Sequence, residues 1–271
     1  MQHLLSLLNL MKIRSYTRWI IFIIVFFQSL LMWLRKREFR KFDDCWFYNW
    51  KQAKHPIIGD RSVEYPWVYQ RVRDLSGCII LDVGAKEGLA ITDILVQRNA
   101  VYAIDQNVST SYKKGKISII RGDIRSPGFD REFFDAVVAV SVLEHIGIPG
   151  RYNITQLDED GDLKAMEEIW HILKPGGRCI ITVPYGCGRS LPLNRLYDAM
   201  RIRQLCCNFE ITECQYFKFH EEYQLWLEVS EDVAAATDWD TEPWYAIVCL
   251  VLLKAVEITP DGMPIRKSGN L

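Results

Sequence analysis

Glu144 and His145 stand side by side in the run Ser141-Val142-Leu143-Glu144-His145-Ile146-Gly147. A neutral imidazole, with an ordinary pKa of about 6.5, can take a proton from a hydroxyl nucleophile near neutral pH, so His145 is a candidate general base. A carboxylate next to it can orient the ring or meet a cation. Three further carboxylates close or follow apolar runs. Asp82 lies in Ile80-Leu81-Asp82-Val83-Gly84-Ala85-Lys86-Glu87-Gly88, where Gly84 lets the backbone approach a ligand and Gly88 lets a helix begin close to the strand. Asp105 ends Ala100-Val101-Tyr102-Ala103-Ile104-Asp105 and is followed by Gln106 and Asn107. A carboxylate so placed can accept both hydroxyls of a ribose. Asp123, between Gly122 and Ile124, can accept from the amino group of a base whose ring Ile124 covers.

Other clusters carry less chemistry. Asp158-Glu159-Asp160-Gly161-Asp162 resembles a cation loop, but an EF-hand takes glycine at its sixth position, whereas here it is the fourth residue. The segment reads as a turn in which Asp160 or Asp162 caps the following helix. Cys45, Cys78, Cys179, Cys187, Cys206, Cys207, Cys214 and Cys249 include no CxxC pair, so they read as reduced thiols and no metal site is assigned. Lys113, Lys114 and Lys116 around Gly115 read as a basic turn, and the segment from Tyr185 through Arg189 to Leu193 as part of an acceptor wall.

The elements that must position these groups alternate regularly. Short apolar runs at CIILDV, AVYAID, ISIIRGD, FDAVVAVS and CIITVP, separated by helical or loop segments, predict parallel strands in an α/β sheet. In such a sheet the ligand crevice lies beyond the carboxyl ends of the strands, where the residues above fall. Leu163, Met166, Ile169, Trp170 and Leu173 repeat at helical spacing, predicting a helix over 162–173 that Lys174-Pro175-Gly176-Gly177 stops. A helix is expected over 193–206, strands over 209–219, 221–229 and 246–254, and a loose tail over 257–271. Ser62 to Leu75 reads as an entry helix broken early by Pro66.

The chain has 271 residues, 49% of them hydrophobic, which suits one generous domain and argues against disorder. Lys+Arg 33 against Asp+Glu 34, a net charge of -1, offers no global field for nucleic acid, and no nucleic-acid partner is expected. Trp19 to Leu34 holds sixteen residues without a charge, with tryptophan at both ends and basic residues on both flanks. It predicts an N-terminal hydrophobic helix, a single-pass membrane anchor with the domain on the cytosolic side; the alternative is a helix lying in the membrane interface. The expected organisation is therefore anchor and basic flank over 1–41, linker over 42–61, catalytic domain over 62–256 and tail over 257–271.

From about Val63 to Ala255 the chain resembles class I S-adenosylmethionine-dependent methyltransferases, on LDVGAKEG, AIDQN, RGDI, VVAVSVLEHIG and the LKPGG turn before CIITVP. EHIGIPGRYN followed by LDEDGDLKAMEEIWHILKPGG is similar to a poorly characterised subgroup, a domain family of unknown function. The resemblance implies a Rossmann-like, seven-stranded mixed sheet with an antiparallel last strand, closed by 209–219 and 246–254. It implies S-adenosylmethionine as cofactor, with Gly84 and Gly88 lining its methionine part, Asp105 at the ribose, Asp123 and Ile124 at the adenine, and Asp82, Gln106 and Ser141 also among the cofactor-binding residues. His145 and Glu144 are then the catalytic candidates. The expected reaction is methyl transfer, with O-methylation favoured, to a small or membrane-associated acceptor such as a saccharide, lipid-linked glycan or lipid. Lys86 stands where the family often has glycine, which keeps a non-catalytic binding or scaffold protein as the alternative. A nicotinamide-dependent oxidoreductase would show G-x-G-x-x-G where this chain has G-A-K-E-G.

Overall fold

The computed structural model describes residues 59–256 except 85–91, 93–94, 151–153, 189–193, 222–224 and 243. The expected anchor and tail lie outside the described residues, as do Lys86, Gly88 and Arg189. Among the described residues no helix is long and apolar enough to cross a membrane.

Chain entry is a helix, α1 (Arg61–Val72), whose first turn is fixed by Asp60 accepting from the Arg61 backbone N–H at 2.8 Å. Pro66 sits inside it and does not break it. The helix is held instead by burial of Tyr65, Trp67, Val68 and Val72 against the sheet, which outweighs the lost hydrogen bond. Asp60 and Arg61, the last two residues of the expected linker, belong to this helix and its cap.

Among the described residues nine strands form one sheet: β1 (Ile79–Val83), β2 (Ala100–Asp105), β3 (Tyr112–Lys114), β4 (Ile117–Arg121), β5 (Phe134–Val140), β6 (Leu173–Tyr185), β7 (Glu210–His220), β8 (Leu225–Val229) and β9 (Ala246–Leu253), in the order β3-β4-β2-β1-β5-β6-β9-β7-β8. Strands β4, β2, β1, β5 and β6 run parallel. β9 lies antiparallel between β6 and β7, so the expected closing pair is present. Two short edge strands raise the count from seven to nine. β3 pairs antiparallel with β4, which makes the expected basic turn at Gly115 the tip of a hairpin, and β8 pairs antiparallel with β7.

Alternation along the parallel strands splits the core in two. Leu81, Val83, Ile104, Val137 and Ile181 face one side, where α2 (Gly161–Ile172) adds Ala165, Met166, Ile169 and Ile172. Ile80, Val101, Val138 and Ile180 face α1 on the other. Each layer buries its apolar face on the sheet, the arrangement expected of a parallel α/β fold.

Two boundaries differ from expectation. α2 passes into β6 at Leu173, and Lys174-Pro175-Gly176-Gly177 is the first stretch of that strand rather than a separate reversal; Gly176 donates to the Lys254 carbonyl at 2.7 Å. The helix expected over 193–206 is only α3 (Ala199–Leu205). Tyr197 forms a parallel bridge with Tyr185, so the backbone before Asp198 is already committed to extended pairing, and Asp198 caps the helix by accepting from Arg201 N–H at 2.7 Å.

Candidate active site

The carboxyl ends of β1, β2, β4 and β5 open on one cleft. Val83 and Gly84 line it from β1, Asp105, Gln106 and Asn107 from β2, Gly122 and Ile124 from β4, and Ser141, Val142, His145 and Ile146 from β5, with Arg61 from α1 and Ile154. Gly84 turns the chain at φ +79°. A Cβ there would stand 2.5 Å from Val142 Cγ2, so only glycine lets the first and fourth parallel strands' turns approach so closely. Ser141 turns the end of β5 at φ +45°, an unusual conformation for a residue with a side chain. Its backbone N–H donates to the Thr182 carbonyl at 3.0 Å.

Behind the lining lies an acidic layer. Asp82, on β1, is fully buried; one oxygen accepts from the Thr92 hydroxyl, and the other has no hydrogen-bond partner among the described residues. Burial pushes its pKa up to about 7, with the Thr92 hydrogen bond opposing and the Asp105 charge adding to the rise. Glu144 is likewise buried with one oxygen lacking a partner among the described residues, and burial pushes it up to about 8. Its other carboxylate oxygen stands 3.7 Å from His145 Nε2, close enough to attract a protonated ring but beyond hydrogen-bond distance. Asp105 accepts from the Asn107 backbone N–H at 2.6 Å, which fixes one carboxylate oxygen at the rim.

Because Asp82 and Glu144 bind their protons more tightly in the fold than in the unfolded chain, the folded state carries more protons between the ordinary carboxylate range and pH 8. Stability is then greatest at the acid end of that window and falls as pH rises through it. Melting curves are expected to show Tm dropping by roughly 5 °C between pH 7 and pH 9 in the wild-type chain and by less than about half of that in Glu144→Gln. Equal slopes for the two proteins would remove Glu144 as the source.

Of the residues named from sequence, Gly84, Asp105, Gln106, Ile124, Ser141 and His145 meet in the cleft, and Asp82 and Glu144 stand behind it. Asp123 is not among the lining residues, although its neighbours Gly122 and Ile124 are. Its carboxylate is taken by the Arg125 guanidinium at 2.6 Å, and Arg125 also meets Asp158 at 2.7 Å. Asp162 is not a helix cap; it is buried and accepts from Tyr197 Oη at 3.0 Å and from Arg201. Asp160 occupies the cap position without a side-chain cap bond. The seven described cysteines form no disulfide.

Sequence reasoning missed Arg61, Glu64 and Asn107. Asn107 follows a motif already in view and was within reach. Arg61 and Glu64 were not, because they belong to a helix that precedes the first strand and meet the cleft only through the fold. Glu64 is fully buried and pairs with Arg61, while burial opposes the Arg61 charge but Glu64 and Asp60 outweigh it, raising its pKa above the ordinary arginine value.

No curated protein matches the chain. Among solved structures it is similar to the N-methyltransferase NodS of Bradyrhizobium japonicum in complex with S-adenosyl-L-homocysteine, at 15% identity and a TM-score of 0.49 over 78% of this chain and 92% of that one. It is similar to the 1,6-didemethyltoxoflavin-N1-methyltransferase of Burkholderia thailandensis, at 13% identity and a TM-score of 0.47 over 90% and 92%. A SAM-dependent methyltransferase of Methanosarcina mazei gives 15% identity and a TM-score of 0.48 over 71% and 99%. One family model matches residues 92–245, more than half of the sequence, and by that match the chain belongs to the family described as Caenorhabditis protein of unknown function, DUF268.

Proposed function

We propose that the chain is an S-adenosylmethionine-dependent methyltransferase acting on a small or membrane-associated acceptor. The observation that carries this reading is the convergence of Gly84, Asp105, Gln106, Ile124, Ser141 and His145 on one cleft at the strand ends. The residues fit the cofactor chemically. Gly84 leaves room where a Cβ would collide, Asp105 presents a carboxylate oxygen to a diol, Ile124 offers an apolar face to a ring, and the buried Asp82 and Glu144 make the surroundings receptive to a cation.

When bound, the cofactor supplies an already activated methyl group. The chain's own part is to hold the acceptor in line and exclude water, which can lower a barrier by about 7–11 kcal/mol. Oxygen is the favoured acceptor atom. His145, at the cleft wall, takes the hydroxyl proton on Nε2 or Nδ1, and Glu144, 3.7 Å from Nε2, stabilises the resulting imidazolium in the fraction of molecules in which it is ionised. A saccharide, lipid-linked glycan or lipid acceptor suits the hydrophobic N-terminal segment, which would tether the chain to a membrane with the domain on the cytosolic side.

The test is calorimetric titration of the purified full-length chain, in mild detergent, with S-adenosylmethionine and S-adenosylhomocysteine, using NAD as control. Micromolar binding of both sulfur compounds and none of NAD is expected. A folded chain that binds neither would favour the scaffold reading, and NAD binding would favour the oxidoreductase. Once labelled methyl transfer has identified an acceptor, turnover should fall in His145→Ala; a full-rate variant would remove its role as base.

A further inference from the structure

We propose that Glu64 is a positioning residue that locks the two walls of the cleft to each other. It belongs to no strand end and to no motif of the sequence, yet it is fully buried and has both oxygens committed. One oxygen accepts from Ser141 Oγ at 2.6 Å and from Thr182 Oγ1 at 2.5 Å. The other meets the Arg61 guanidinium. Ser141 and Arg61 both line the cleft, from β5 and α1, and Thr182 lies on β6 next to β5.

The chemistry calls for such a residue at this place. Ser141 is held at φ +45°, a left-handed conformation that residues with a side chain rarely adopt and that persists only where the surroundings over-determine it. Its side chain is tied to Glu64 and its N–H to Thr182, whose hydroxyl is itself tied to Glu64. That conformation aims the next residues, placing Val142 over Gly84 and His145 at the cleft wall. On the other side, an arginine lining a cleft is a long, flexible cation, and its pairing with a buried carboxylate fixes where its remaining N–H groups point. Glu64 thus sets the turn that carries the candidate base and the cation that lines the same cleft. Removing one partner of such a buried pair is felt at the other.

Glu64→Gln separates the two tasks: the amide oxygen can still accept from Ser141 and Thr182, whereas an N–H₂ now faces the Arg61 guanidinium. The first readout needs no ligand. Amide hydrogen exchange over residues 141–146 in the full chain is expected to rise at least about tenfold in Glu64→Leu, which can accept from neither Ser141 nor Thr182, and to stay near wild type in Glu64→Gln, while the strands β1 and β9 keep wild-type protection. A uniform rise across the domain in Glu64→Leu, or none, would overturn the proposal. The second readout rests on the methyltransferase reading for its choice of ligand. S-adenosylhomocysteine affinity should fall at least about tenfold in Glu64→Gln, and the same substitution should have no further effect in an Arg61→Met background. Fully additive losses would mean that Glu64 does not act through Arg61. If Glu64→Leu fails to fold, Ser141→Ala, which severs the Ser141–Glu64 link without changing a buried charge, is expected to raise exchange over 142–146, and unchanged exchange there would overturn the proposal. Wild-type chain that binds no S-adenosylhomocysteine would sink the methyltransferase reading and leave the exchange result to decide the role of Glu64.

Discussion

Asp105→Ala is expected to weaken S-adenosylhomocysteine binding at least about 100-fold. Each hydrogen bond from a hydroxyl to a carboxylate contributes about 1.5–3 kcal/mol, so losing two should remove about 3 kcal/mol or more, and 1.4 kcal/mol is a factor of ten. The carboxylate is well placed for that role, since it ends β2, is 9% exposed and is steadied by the Asn107 backbone N–H at 2.6 Å. Asp105→Asn, which keeps one acceptor oxygen, should lose less. The same substitutions carry a second signature: removing the Asp105 charge takes away one of the causes that raise the Asp82 pKa, so Asp82 should titrate lower in both variants. Calorimetry at pH 7 on chains with wild-type melting curves checks the first expectation. An affinity within threefold of wild type in Asp105→Ala would break the ribose assignment.

The second large effect is expected from Gly84→Ala. Alanine at φ +79° costs about 1–2 kcal/mol for the left-handed backbone alone, and its Cβ would meet Val142 Cγ2 at 2.5 Å. Overpacking of that kind adds typically about 1–3 kcal/mol, so a total near 3 kcal/mol, or a Tm lowered by roughly 6–12 °C, is expected. Because Val142 belongs to the turn that carries His145, cofactor affinity should fall as well. Val142→Ala removes the atoms in the way and should restore part of the stability in the double variant, leaving the backbone cost. If Gly84→Ala melts with wild type, the close approach of the two turns is not as described; if Val142→Ala rescues nothing, the clash is not its cause.

The parts of the fold that could be read in advance are those where one local signal suffices. Each of β1, β2, β4 and β5 is an apolar run with a glycine or an acidic residue at its end or within the next four positions, and both the strand and its chemical end are written in the same few residues. The α2 helix announces itself through Leu163, Met166 and Ile169 at helical spacing. What could not be read depends on partners far along the chain. A glutamate in an amphipathic helix looks solvated, and nothing near Glu64 says that Ser141 and Thr182, 77 and 118 residues later, will bury it. Asp162 looked like a cap for the same reason, its real partners being Tyr197 and Arg201. Asp123 sat in the right motif, but an arginine two residues on claims its carboxylate. Pro66 misled in the other direction, since a local penalty was overridden by the burial of its neighbours. The three-residue β3 is too short for alternation to show, and only its pairing with β4 makes it a strand.

The place of β9 bears on how the molecule comes to be made. It is the last in sequence of the described strands, yet it lies inside the sheet, pairing with β6 on one side and β7 on the other, with Ala246 through Val251 all buried. During synthesis the five parallel strands and the β7–β8 hairpin all emerge before the element that joins them. Until it arrives, β6 and β7 each present an unpaired edge, and the hairpin hangs from the rest by its connecting segment. Such open edges invite pairing with other chains, and contacts this distant in sequence form slowly. Until β9 has emerged the sheet stays open beside strands that have already been made, and a shielding chaperone or a ligand that steadies β1, β2 and β5 early would matter most at that moment.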